Sequence, residues 1–195
     1  RPRNPHPPPD PATSTMALES ERRFLVAGSG WRQHVRWRRR FRQGYLLAAS
    51  DGLTVRVRLV DGGGAAEAWL TLKARPDHDD GATRLEYEYP IPPADARELL
   101  DLCGDQQLAK WRHGLDLPGG DWVLDVFEAA NAPLVVAEVE LEHAQAPLDP
   151  PAWCVRELTG RHELSNAALA RRPLALWSDQ ERGALLGLAE GGATG

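Results

Sequence analysis

From residue 17 onward, charged and apolar side chains alternate with a period of two in a succession of short segments, the pattern of β-strands with two chemically different faces. Eight strands are expected, over 17–26, 43–48, 53–60, 66–74, 83–90, 107–113, 121–127 and 134–142. Turn-rich joints such as Ser50-Asp51-Gly52, Asp61 to Gly64 and Pro118-Gly119-Gly120 separate several of them, so hairpins dominate. A helix fits 93–103, where Pro93 suits the first turn and Leu99, Leu100 and Cys103 form one apolar stripe. Further helices are expected at 154–159, 164–171 and 178–189, which makes the chain α+β rather than alternating α/β.

Residues two apart on a strand point to the same side, so the spacing tells which charges share a face. Glu19, Glu21 and Arg23 share one in the first strand, Arg56 and Arg58 in the third, and Arg84, Glu86 and Glu88 in the fifth. Lys110 and Arg112 share one in the sixth strand, and Glu138, Glu140 and Glu142 in the eighth. The opposite faces carry Phe24 and Val26, Val55 and Val57, Leu85 and Tyr87, Trp111, Val139 and Leu141.

A charged face in water is the commonest origin of such alternation, and for any one strand it is the preferred reading. The set argues otherwise: the first and eighth strands repeat Glu-x-Glu while the third and sixth present basic pairs, a division that solvation does not require. Eight strands can close into a barrel, and a barrel of that size can hold one small ligand. Charges turned into such a lumen need partners, because unpaired buried charge is costly, and a polyphosphate with divalent metal satisfies both signs. Arginine and lysine bind phosphate oxygens, and carboxylates hold Mg²⁺ or Mn²⁺.

Composition narrows the class. The 195 residues suit one domain with a sizeable core. The net charge of -5 gives no overall basic field for nucleic acid or anionic membrane. Only Cys103 and Cys154 are present, without zinc-ligand spacing, and read as free thiols in a reducing cytosol. No apolar run reaches the roughly 20 residues of a membrane span, so a cytoplasmic protein is expected. Residues 1–15 are Pro-rich and read as a disordered leader before Met16.

The opening Glu19-Ser20-Glu21-Arg22-Arg23-Phe24-Leu25-Val26 resembles the N-terminal Glu-x-Glu-x-Lys signature of the CYTH family, the triphosphate tunnel metalloenzymes. Further matches are Arg42 to Leu46, Thr54 to Arg58, Leu70 to Lys73, Arg84 to Glu88, Lys110 to Arg112, Leu124 to Phe127 and Val136 to Glu140. The resemblance implies a closed eight-stranded antiparallel β-barrel, the triphosphate tunnel, over 16–175, with peripheral helices and a C-terminal helix and tail over 176–195. It implies metal-dependent hydrolysis of inorganic triphosphate or another small triphosphate, with Mg²⁺ or Mn²⁺, and a homodimer. Arg56, Arg58, Lys73, Arg84, Lys110 and Arg112 would bind the triphosphate, and Glu19, Glu21, Asp125, Glu138 and Glu140 would serve the metals.

Two departures change the picture. Arg23 stands where the signature has Lys; its high pKa favours electrostatic clamping over proton donation. Glu163-Leu164 replaces the family's Arg-Tyr before Asn166, so contacts from the closing helix do not carry over. Adenylate cyclase activity of the same family and a non-catalytic polyphosphate-binding module are the competing readings.

Three other features are weighed. Trp31 to Arg42 combines seven basic or potentially basic side chains with Trp31, Trp37 and Phe41, suited to nucleic acid but explained with fewer assumptions as a solvated loop or helix. Asp77, His78, Asp79 and Asp80 read as a solvated turn rather than a metal cluster. His113 follows Lys110 and Arg112, within reach of the lumen or the barrel rim, but a lone His is more often a structural or exposed residue.

Overall fold

In a computed structural model, residues 20–48, 53–74, 85–143 and 146–190 are described. Among the described residues nine strands alternate with a few short helices: β1 (Ser20–Val26), β2 (Val35–Ala48), β3 (Thr54–Asp61), β4 (Glu67–Ala74), β5 (Leu85–Pro90), β6 (Gln107–Leu115), β7 (Asp121–Phe127), β8 (Val135–Leu141) and β9 (Cys154–Glu157). Helix α1 (Pro93–Leu102) joins β5 to β6, and α2 (Asn166–Arg171) and α3 (Asp179–Glu190) follow β9. The strands form one antiparallel sheet in the order β5-β4-β3-β2-β6-β7-β8-β1-β9.

Two expectations are corrected and a third is met in part. The strands form one antiparallel row of nine, with β5 and β9 at its ends; closure of the row into a ring is not part of the described ladder. Residues 154–157 are a strand, not a helix: Pro150 and Pro151 precede them, and Cys154, Arg156 and Glu157 pair with Val26, Leu25 and Phe24 of β1. Residues 35–42 are the first half of a central strand rather than a loop or helix. They follow a 3₁₀ turn over Gly30–His34, and their arginines find carboxylates on neighbouring segments: Arg39–Glu67 3.0 Å, Arg40–Glu128 2.8 Å and Arg42–Asp61 3.5 Å.

Each face of the sheet has its own cover. On the outer face, Phe24, Trp122, Leu124, Ala137, Val139 and Leu141 pack with Trp31. Farther along, α1 sets Ala96 and Leu100 against Val57, Leu59 and Ala68. Burying a leucine such as Leu100 contributes about 2 kcal/mol. Gly44 allows α1 this close, since a Cβ there would lie 2.6 Å from Cys103 Sγ. Both cysteines are free thiols. Among the described residues no helix is long and apolar enough to cross a membrane.

One end of the inner face is apolar. Leu25, Tyr45, Leu108, Phe127 and Val136 gather there under Leu158, Leu164, Leu169, Leu174, Trp177 and Leu185 of the C-terminal segment. The segment after β9 thus closes that end, and beyond it charged side chains share the face with Phe41 and Val60.

Candidate active site

Opposed residues of an antiparallel pair share a face, so the register assembles the site. Arg23 lies opposite Glu138 and Glu21 opposite Glu140; Arg112 lies opposite Asp125. Arg56 lies opposite Thr71, and Lys73 opposite Glu86. Ten of the twelve expected site residues, Glu21, Arg23, Arg56, Arg58, Lys73, Lys110, Arg112, Asp125, Glu138 and Glu140, therefore occupy one continuous face. Glu19, Arg84 and the Asp77–Asp80 run lie outside the described residues.

At the centre, Asp125 is fully buried and accepts from Lys110 Nζ at 2.5 Å, Arg112 Nε at 2.8 Å and Arg112 Nη2 at 2.7 Å. Burial opposes its charge, but the Lys110 and Arg112 cations win and hold its carboxyl below the usual carboxylate range. Lys110, 1% exposed, is pushed down to about 8 by burial and by the Arg112 cation, against the pull of Asp125. Burial also works against Arg112, yet Asp125 and Glu138 raise its pKa further still.

Arg112 Nη2 also reaches Glu138 Oε2 at 2.6 Å, and Arg23 Nε lies 3.3 Å from Glu138 Oε1 and 3.8 Å from Glu21. On the far side, Arg56 donates to Thr71 Oγ1 at 3.0 Å and Glu88 Oε1 at 3.3 Å, and Lys73 pairs with Glu86 at 2.8 Å.

Arg58 differs from these cations. Among the described residues no carboxylate lies within 4.0 Å of it, and its Nε is buried without a hydrogen-bond partner. Burial, with Arg56 and Arg112 nearby, lowers its pKa to about 10. Its guanidinium sits over the Phe41 ring at 5.6 Å, and Arg112 lies over the same ring at 5.4 Å.

Carboxylate oxygens are the ligand type for a hard divalent cation. Glu21 and Glu140 are exposed and opposed across β1 and β8, with Glu138 one inward step away, so their chemistry and placement fit such an ion. Among the described residues no three metal-capable side chains converge on one point. Asp125 fits the ion poorly, being enclosed and spent on Lys110 and Arg112.

Other expectations resolve plainly. His113 is buried on the opposite face against Trp31, with ring centroids 5.0 Å apart, and burial lowers its pKa. The Arg-rich stretch is largely neutralised by ion pairs, Arg36–Asp116 among them, with Arg38 over Trp111 at 5.1 Å.

Sequence reasoning missed three contacts. Thr71 shares a strand face with Lys73, a spacing that was readable. The Leu164 carbonyl accepts from Arg23 Nη2 at 3.1 Å, and Asn166 Oδ1 accepts from Lys110 Nζ at 3.1 Å. Nothing local marks those two, because they arrive from an element 56 residues or more away.

Comparison with known proteins places this geometry. The CYTH domain model matches residues 17–172. An inorganic triphosphatase of Acetivibrio thermocellus is 35% identical over 159 residues, covering 81% of this chain and 96% of that protein. A crystal structure of the inorganic triphosphatase NE1496 superposes with a TM-score of 0.60 at 32% identity, covering 80% of this chain and 95% of the other. A second crystal structure of NE1496, there called a hypothetical protein, gives 0.59 at 32% identity over 78% and 97%. The chain belongs to the CYTH domain family, whose triphosphatases are metal-dependent in general.

Proposed function

We propose that this chain hydrolyses inorganic triphosphate, or another small triphosphate, with the help of a divalent metal held on the charged face. Arg58 carries the proposal: a desolvated guanidinium crowded by two others, with no carboxylate within 4.0 Å among the described residues, is stabilised by a bound polyanion. Donor counting agrees. Lys110 has three N–H donors with two engaged, and Arg112 has five with three engaged, so three remain for phosphate oxygens. The 35% identical inorganic triphosphatase supports the same substrate class.

In this reading the row of strands curls into a tunnel, and residues 16–175 act as one domain with 176–195 as terminal helix and tail. Arg56, Arg58, Lys73, Arg84, Lys110 and Arg112 bind the phosphates. Glu19, Glu21, Glu138 and Glu140 hold Mg²⁺ or Mn²⁺, which when bound neutralises developing charge and activates water. Asp125, expected among the metal residues, is reassigned to holding Lys110 and Arg112 in place. Arg23, tied to Glu138 and the Leu164 carbonyl, acts as an electrostatic clamp. A cytoplasmic homodimer acting on a small triphosphate, without nucleic acid, completes the proposal.

The test measures phosphate, pyrophosphate and cyclic AMP released from inorganic triphosphate, thiamine triphosphate and ATP, with Mg²⁺, Mn²⁺ or chelator, beside Glu138→Gln. Metal-dependent phosphate release lost in the variant is expected. Undiminished activity in chelator or in Glu138→Gln sinks the proposal. Cyclic AMP as product moves the chain to cyclase chemistry, and tight binding without turnover leaves a binding module.

A further inference from the structure

The closing segment after β9 does more than plug one end of the face. It reaches two of the site's cations: the Leu164 carbonyl holds Arg23 Nη2, and Asn166 Oδ1 holds Lys110 Nζ, each at 3.1 Å. The local structure makes both contacts firm. Leu164 is fully buried in the apolar cluster, and Ser165 caps α2 by accepting from Ala168 N at 3.2 Å, which fixes Asn166 as the first residue of the helix. Leu169 and Ala170 of the same helix are buried, and α2 packs against β6, the strand that carries Lys110.

We propose that Asn166 is a positioning residue for substrate binding: its side-chain oxygen, with Asp125, fixes the Lys110 ammonium so that its remaining donor serves a phosphate oxygen. The inference rests on the triphosphate reading. A flexible four-carbon stem carries the Lys110 ammonium, and Asp125 alone leaves it free to swing about a single contact. Two acceptors on different elements, Asp125 on β7 and Asn166 on α2, remove that freedom before the ligand arrives, which lowers the ordering cost of binding. The contact is neutral on the Asn166 side, so it orients the cation without cancelling the charge that phosphate needs.

The experiment compares wild type with Asn166→Leu, which keeps the bulk but not the acceptor, and Asn166→Gln, which keeps a neutral acceptor oxygen one methylene farther out. Two readouts are used: KM and kcat for inorganic triphosphate with Mg²⁺, and calorimetric Kd for inorganic triphosphate in chelator, where no turnover intervenes. Asn166→Leu is expected to raise KM and Kd together by roughly 5- to 10-fold with kcat within about twofold, and Asn166→Gln to recover part of the loss. Unchanged Kd and KM in Asn166→Leu overturn the proposal. So does a fall in kcat that follows thermal stability at constant KM, since that marks a structural role. A wild type that binds triphosphate without hydrolysing it refutes the catalytic reading, while the Kd ratio still decides the role of Asn166. A wild type that does neither refutes both.

Discussion

Asp125→Asn is the most revealing single change, because it keeps shape while removing one charge from a dry cluster. Asp125 is 0% exposed and accepts three hydrogen bonds, and Lys110 has it as its ion-pair partner, whereas Arg112 keeps Glu138. Breaking a buried pair from one side costs about 3–5 kcal/mol. Lys110 limits the loss. Its pKa of about 8 puts the neutral amine only about 1.4 kcal/mol above the ammonium at pH 7, so the variant sheds a proton rather than strand the charge. The expected destabilisation at pH 7 is therefore near the lower end, about 3 kcal/mol.

The pH dependence has a definite sign. In the wild type the folded pKa of Lys110 lies below its ordinary value, so the cost of holding it charged is full below pH 8 and fades between there and the ordinary lysine range. Removing Asp125 lowers that pKa further. Between pH 6 and 8 the folded variant then binds fewer protons than the folded wild type, and its stability rises with pH by up to about 1.4 kcal/mol per unit while the wild type's contribution stays flat. Urea unfolding at pH 6, 7 and 8 without divalent metal reads both quantities. A difference below about 1 kcal/mol at pH 6, or one that widens with pH, refutes the reasoning. The double variant Asp125→Asn with Lys110→Met is expected to recover part of the loss, since the orphaned charge is gone.

Arg58→Ala is expected to raise KM for triphosphate by roughly 10- to 100-fold while leaving the unliganded protein as stable as the wild type or more so, because it removes a desolvated, mutually repelled cation; a clear loss in urea midpoint contradicts this. The kcat/KM for triphosphate is expected to fall as pH rises through about 8, when Lys110 loses its charge in the free enzyme; a flat profile to pH 9.5 argues against Lys110 as a phosphate ligand. Gly120→Ala would press a Cβ into the Glu140 carbonyl, so a loss of about 1–3 kcal/mol is expected together with weaker Mn²⁺ binding through a displaced β8; wild-type affinity with normal stability contradicts that coupling.

The period-two alternation made the site's face readable but not its neighbours. Arg56 with Arg58, Lys110 with Arg112 and Glu138 with Glu140 share faces by spacing alone, and the register bears this out. The helix at 93–103 was equally legible, because Pro93 and the Leu99, Leu100, Cys103 stripe are local signals. Arg-rich residues 35–42 misled, since like charges look unfit for a central strand until Glu67, Asp61 and Glu128 arrive from elsewhere to pair with them. Residues 154–157 misled because four residues carry too little periodicity to separate helix from strand, and pairing with β1 decides the matter. Asn166 was invisible for the same reason: its partner is set by packing, not by spacing.

Strand order then gives the face a polarity that spacing cannot encode. Arg56, Arg58 and Lys73 stand on β3 and β4, whereas Glu21, Glu138 and Glu140 stand on β1 and β8, four or more strands away in the row. Between them β6 and β7 carry Lys110, Arg112 and Asp125, and Arg112 touches both the enclosed Asp125 and Glu138. Glu86 and Glu88 of β5 answer Lys73 and Arg56 locally and Arg23 answers Glu138, so Arg58 stands out on the β3 side while carboxylates gather toward β1 and β8. A ligand that is itself an anion carrying a divalent cation fits this division, its phosphates toward β3 and β6 and the metal toward β1 and β8. Exchanging the signs, as in Glu138→Lys with Arg58→Glu, keeps the net charge but turns Arg23 and Arg112 against a new cation. Loss of triphosphate binding in that double variant, with binding kept in a charge-conserving Arg58→Lys control, is the outcome that follows if arrangement rather than total charge selects the ligand.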